Sequence, residues 1–157
     1  MLTVTWPVSI HDSQLKYIYL TGQQDRGLNM QKDRKSVLKM LKQELEFLEN
    51  GGYKNSPSAA WRAAYIFEES PSCPNSSDLA RPHRCEDCWL MEFVSPDSRQ
   101  EQVPCRFVEL APNGITVDSL YRCGTPAESE QELRNWLHQR IRELENEIYE
   151  AKDLRRA

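Results

Sequence analysis

A strong helix-start signal near the C-terminus constrains this chain more than any other feature of its sequence. Thr125 is followed by Pro126 at the first helical position and Glu128 at the third, which is the pattern of a capping box. We expect a helix over about residues 126–154. At about 1.5 Å per residue it would be roughly 43 Å long. Because that exceeds what a core of this size can cover, the apolar side of the helix needs a partner.

The apolar residues of this helix follow the heptad spacing of a short coiled-coil seam, namely Leu137, Ile141, Leu144, Ile148 and Ala151. A second helix is predicted over residues 31–50, with an apolar stripe formed by Leu38, Leu41, Leu45 and Leu48. This second helix begins basic and ends acidic, against the preference of the helix dipole. Antiparallel pairing would place its basic start near the acidic end of the last helix. We therefore expect an intramolecular pair, with self-association or a protein partner through the C-terminal helix as the alternative.

The chain of 157 residues has the normal size of one domain. We assign residues 30–157 to a single domain and residues 1–29 to an N-terminal extension. The extension contains β-branched and aromatic stretches typical of short strands. Another interpretation is that the natural chain starts at Met30, where the helical pattern opens.

Further elements are predicted between the two long helices. Ser56 followed by Pro57 indicates a helix that runs to about Phe67. Residues 103–111 and 115–121 read as two strands joined at Asn113-Gly114, a strong hairpin signal. The stretch from residue 69 to residue 84 is irregular and rich in proline and serine. Such a stretch needs an external constraint to hold one shape inside a compact domain.

Four cysteines could supply that constraint. Cys73, Cys85, Cys88 and Cys105 follow the spacing Cys-x11-Cys-x2-Cys-x16-Cys. A Cys-x-x-Cys turn lets two sulfurs converge on one ion, and four thiolates suit a closed tetrahedral zinc site. The same four suit a [4Fe-4S] cluster. We favour zinc, keep the cluster as the alternative, and regard His83 as a reserve ligand.

Composition and charge exclude several classes of function. The formal net charge of −4 and the pI near 5.5 argue against a dedicated nucleic-acid binder. No stretch is long and apolar enough to predict a membrane span, and residues 1–10 do not resemble a secretory signal. We therefore expect a cytoplasmic protein. In a reducing compartment the five cysteines favour metal binding or redox chemistry over structural disulfides, with simple packing of reduced thiols as the alternative.

Motifs of the common enzyme classes are missing from the sequence. It has no phosphate-binding loop, no dinucleotide-binding glycine pattern and no nucleophile elbow. We expect an α+β protein with a small cysteine-rich metal-site core and a β-hairpin, flanked by long helices. Its predicted role is that of a non-enzymatic interaction or regulatory module. The alternatives are an iron–sulfur redox or sensory protein and a thiol–disulfide exchange enzyme that uses Cys85 and Cys88. Cys123 receives no role.

Overall fold

The computed structural model describes residues 33–55, 63–76 and 78–155. Within these ranges the chain combines helices with one small two-stranded sheet, which is compatible with the predicted α+β class. The elements are, in chain order, helix α1 over residues 33–49, strands β1 (Glu109–Ala111) and β2 (Ile115–Thr116), helix α2 (Val117–Cys123) and helix α3 (Pro126–Asp153). Short 3-10 helices fill much of the stretch between Cys85 and Phe107.

Helix α3 begins where its capping signal predicts. The Glu128 N–H donates to Thr125 Oγ1 at 3.2 Å, and the Glu128 carboxylate accepts the Thr125 N–H at 2.7 Å. These reciprocal bonds satisfy backbone donors that have no partner within the helix. The helix buries one face, formed by Leu133, Trp136, Leu137, Ile141, Leu144 and Ile148. Ala151, the last residue of the predicted seam, is half-buried.

Helices α1 and α3 pack against each other in antiparallel orientation. Lys42 Nζ, in the middle of α1, lies 2.6 Å from Glu145, and Arg34 Nε, near its start, lies 3.6 Å from Glu147. Near the end of α1, Glu49 lies 3.9 Å from His138. The predicted intramolecular pair is therefore confirmed, whereas self-association through α3 stays a prediction. Exposed ion pairs of this kind contribute about 1 kcal/mol or less, so they orient the helices more than they stabilise them.

The buried face of α1 is rotated slightly from the predicted stripe. Leu41 and Leu48 are buried as expected, but Leu38 and Leu45 lie at the edge of the core and are only partly buried. The face is completed by Val37 and by Glu44, whose side chain is in the interior. A buried carboxylate is tolerated there because hydroxyl groups of other segments bond both of its oxygens.

The predicted hairpin forms, but its strands are much shorter than residues 103–111 and 115–121. The turn at Asn113-Gly114 is present, with Gly114 at a φ of +77°. Pro104 opens a 3-10 helix, so Cys105 lies in that turn and not in a strand. After β2, Thr116 Oγ1 accepts the Ser119 N–H at 3.1 Å, and this cap starts α2 at a position where strand was predicted.

The helix predicted from Ser56 to Phe67 lies mostly outside the described residues, as do the strands predicted within residues 1–29. In its described part, residues 63–67, the prediction is wrong because residues 63–65 are irregular and a turn follows. Phe67 has a φ of +63°, which is uncommon for a bulky residue. Its N–H donates to the Tyr53 hydroxyl at 2.8 Å and its ring is 1% exposed, so packing and this bond hold the conformation.

Truncation of Leu137 tests the helix pair. Leu137 is fully buried in the core, and Leu137→Ala is expected to lower the free energy of unfolding by about 2–5 kcal/mol because a cavity remains. Leu79→Ala makes the same chemical change at a fully exposed position and should shift it by less than about 0.5 kcal/mol. Urea unfolding followed by circular dichroism measures both values. Similar values for the two variants would contradict this packing.

Candidate metal centre

The four cysteines singled out by the sequence line the same cavity. Its volume is about 260 Å³, and Cys73, Cys85, Cys88 and Cys105 all contribute to its wall. Each is a free, half-buried thiol. They come from three separate stretches of the chain, so tertiary structure brings them together. Cys123 is different, since it is exposed at the end of α2.

The described residues that line the cavity do not form a complete set of metal ligands. Within the described ranges, no group of three or more Cys, His, Asp or Glu side chains is arranged so that it could hold a metal ion. The zinc or iron–sulfur site therefore stays a prediction about these four residues. His83, the reserve ligand, also lines the cavity.

Local turns position the cysteines. The Cys88 N–H donates to the Cys85 carbonyl at 3.0 Å, closing a tight turn around the Cys-x-x-Cys sequence. The Cys73 N–H donates to the Ser70 carbonyl at 3.1 Å, and the Cys73 carbonyl accepts the Ser76 N–H at 3.1 Å. Consecutive turns of this kind curl the backbone around the side chain between them.

Backbone N–H groups near two of the sulfurs act to lower their pKa. The Asn75 N–H lowers the pKa of Cys73, and the Leu90 N–H lowers the pKa of Cys88, because each favours the thiolate form. Burial is nevertheless the larger effect and raises the pKa of both thiols. Burial, reinforced by the nearby Glu68 carboxylate, also raises the pKa of Cys105 far above its ordinary value. A cation that binds these sulfurs must therefore displace their protons.

Asn75 clips the Cys73 turn to the segment that precedes Cys85. Its side chain donates from Nδ2 to the His83 carbonyl at 2.8 Å and accepts the His83 N–H on Oδ1 at 3.0 Å. Asn75 is 9% exposed and His83 is exposed, so the two bonds are partly shielded from water. These two hydrogen bonds join two segments of the irregular stretch that no regular secondary structure connects.

Glu44 ties helix α1 to the wall of the cavity. The carboxylate is 1% exposed and accepts the hydroxyl hydrogens of Tyr53 and, at 2.8 Å, of Ser72. Ser72 precedes Cys73 and lines the cavity. Burial raises the pKa of Glu44, while the hydroxyl donors around it act in the opposite direction.

A second buried carboxylate, Glu68, lies between two arginines beside the cavity. Arg106 donates to it from Nε at 2.7 Å and from Nη2 at 3.2 Å, and Arg81 donates from Nη1 at 3.1 Å. The other end of the Arg81 guanidinium, Nη2, lies 4.0 Å from Cys85 Sγ. This cluster therefore brings positive charge next to the cysteines.

Sequence reasoning missed these polar residues around the cavity. Glu44 sits inside a run of charged residues on a helix, where a solvated position is the usual interpretation. Arg81 precedes Cys85 by four residues, but nothing in one sequence separates it from the neighbouring Arg84. Their roles depend on contacts across long sequence separations, which no local pattern encodes.

Comparisons of the chain with protein-family models, with curated proteins and with solved structures find no match. Interpretation of the site therefore depends on the residues that form it.

Within the part of the chain that the structure describes, no helix has the length and apolar character needed to cross a membrane.

Replacing Asn75 tests the clip between the two cysteine-bearing turns. Asn75→Ala removes two part-buried hydrogen bonds that contribute about 0.5–1.5 kcal/mol each, so the free energy of unfolding should fall by about 1–3 kcal/mol. Asn135→Ala is the matched control, since that side chain is exposed on α3 and bonds only to Gln131 in the described contacts. Chemical denaturation measures both variants. Equal stability of Asn75→Ala and wild type would mean that the clip does not hold the turns together.

Proposed function

We propose that Cys73, Cys85, Cys88 and Cys105 bind a metal centre, and that the protein is a small non-enzymatic module for interaction or regulation. The observation that carries the proposal is the shared cavity, because four cysteines from three stretches line the same space. Reduced cysteines that pack only as small apolar residues can lie anywhere in a core, whereas these four share one cavity.

The surroundings of the cavity suit a negatively charged metal–thiolate group. Four thiolates on one divalent ion leave two negative charges in excess, and the Arg81 guanidinium lies beside them. The backbone N–H groups of Asn75 and Leu90 favour the thiolate forms of Cys73 and Cys88. Trp89 also lines the cavity.

Two metals suit four cysteines. Zinc is the first candidate, because the Cys-x-x-Cys spacing and four sulfurs are typical of structural zinc sites. A [4Fe-4S] cluster is the second candidate, and a cavity of about 260 Å³ leaves room for it. A cluster places iron and sulfide atoms between the cysteine sulfurs and needs more room than a single ion.

A structural role follows from where the cysteines lie. Residues 63–76 and 78–84 contain no helix or strand in the described structure, so a few turns and polar bonds hold them. A metal bound across Cys73, Cys85 and Cys105 would cross-link this stretch to the turn before the hairpin. In such sites the free energy of metal binding contributes directly to folding.

Thiol–disulfide exchange remains the other alternative for Cys85 and Cys88. An exchange enzyme needs a thiol with a lowered pKa in an electropositive, partly exposed position. Burial raises the pKa of Cys88, which disfavours its thiolate in the absence of a metal. This direction disfavours a catalytic role for Cys88.

Partner binding through the C-terminal helix is also part of the proposal. The buried face of α3 packs into the core, and the large apolar side chains that stay exposed near its end are Tyr149 and Leu154. Both are exposed, and they could contact a protein partner or a second copy of the chain.

Metal analysis of protein purified without oxygen tests the proposed centre. A zinc site predicts a colourless protein with about one zinc ion per chain. A cluster predicts a brown protein with about four irons per chain and broad visible absorption. Cys88→Ser should lose most of the metal, whereas Cys123→Ser, at the exposed cysteine outside the cavity, should keep it. Wild-type protein with five titratable thiols and no metal would disprove the proposal.

A further inference from the structure

One arginine is held against a sulfur of the candidate metal centre. Arg81 Nη2 lies 4.0 Å from Cys85 Sγ, at the outer limit of an N–H···S contact. Arg81 Nη1 donates to the Glu68 carboxylate at 3.1 Å. The guanidinium group therefore contacts the Glu68 carboxylate with one terminal nitrogen and the Cys85 thiol with the other.

Glu68 is a fixed anchor for this arginine. Its side chain is 8% exposed and accepts two further hydrogen bonds from Arg106. The Arg106 guanidinium stacks on the Tyr65 ring at 4.8 Å, which restricts it in turn. One carboxylate between two guanidinium groups leaves one positive charge in excess, and that charge faces Cys85 through Arg81.

The backbone of Arg81 supports a dedicated role for its side chain. Its φ is +49°, in the left-handed region that residues other than glycine rarely adopt. The Arg81 N–H donates to the Asp78 carbonyl at 3.1 Å, and the Asp78 carboxylate accepts the Ala80 N–H at 2.8 Å. Such a conformation persists where the surrounding structure fixes it. Strained residues of this kind are concentrated at functional sites, which suggests a role for the Arg81 side chain.

We propose that Arg81, held by Glu68, is a positioning residue that shields the Cys85 sulfur of the metal centre from electrophiles. The inference rests on the proposed function, because the sulfur that it protects is a metal-bound thiolate. The nucleophilicity of such a thiolate comes from its negative charge. A guanidinium that donates to the sulfur withdraws part of that charge and occupies one side of the atom.

The rate of metal loss during alkylation tests this role. Metal-loaded wild type and Arg81→Asn are treated with N-ethylmaleimide, and release is followed with a chromophoric zinc chelator or by the decay of visible absorption. Loss of one charge-assisted contact should make release about tenfold faster in Arg81→Asn. Arg81→Lys keeps the charge and should restore part of the protection. Arg84→Asn is the control, because that side chain is 71% exposed and pairs with Glu86.

Asparagine tolerates the left-handed backbone, and Arg81→Gly, which adopts it without strain, provides a second neutral variant. Equal release rates in wild type and both neutral variants would overturn the inference and leave the metal centre intact. Loss of metal from both neutral variants before alkylation, but not from Arg81→Lys, would also overturn the inference, because the charge would then hold the metal in place and not shield the sulfur. Loss of metal from Arg81→Asn, Arg81→Gly and Arg81→Lys alike would show that Arg81 has only a structural role and would overturn the inference. Wild type without metal would overturn the proposed function and this inference together.

Discussion

The antiparallel contact between α1 and α3 is the interaction on which the rest of the described structure depends. Leu41 of α1 and Leu137 of α3 are both fully buried in one apolar cluster. Trp136 of α3 extends this cluster toward the cysteines, since its ring centroid lies 5.8 Å from that of Phe67 and 5.1 Å from that of Phe93. The helix pair thus forms the platform on which the irregular, cysteine-bearing stretch packs.

Hydrogen bonds and ion pairs, and not regular secondary structure, shape the candidate metal centre. Glu44 reaches from α1 to Ser72, Asn75 clips one cysteine turn to the next, and Glu68 gathers Arg81 and Arg106. Each contact joins residues that are distant in sequence or separated by an irregular loop. The buried carboxylates are stable there because every one of their oxygens accepts a hydrogen bond, which offsets much of the cost of burial. A metal would add a covalent-strength link to the same region.

The sequence predicted those features that local chemistry or long-range charge determines. The capping box at Thr125 placed the start of α3, and the charge gradient of α1 predicted its antiparallel partner. Spacing and composition singled out the cysteines that share the cavity. The prediction failed at residues 117–121, where the cap between Thr116 and Ser119 outweighs the strand preference of the chain. It also missed Glu44 and Arg81, whose roles depend on tertiary contacts alone.

X-ray absorption spectroscopy at the metal edge tests the central claim most directly, because it counts the atoms bound to the metal. Protein purified with zinc should show about four sulfur neighbours at about 2.3 Å around each zinc ion. In Cys88→Ser, any metal that remains should show fewer sulfur neighbours, while Cys123→Ser should match the wild type. A first shell of oxygen and nitrogen atoms, or a sulfur shell that Cys88→Ser leaves unchanged, would contradict the assignment of the centre to the four cavity cysteines.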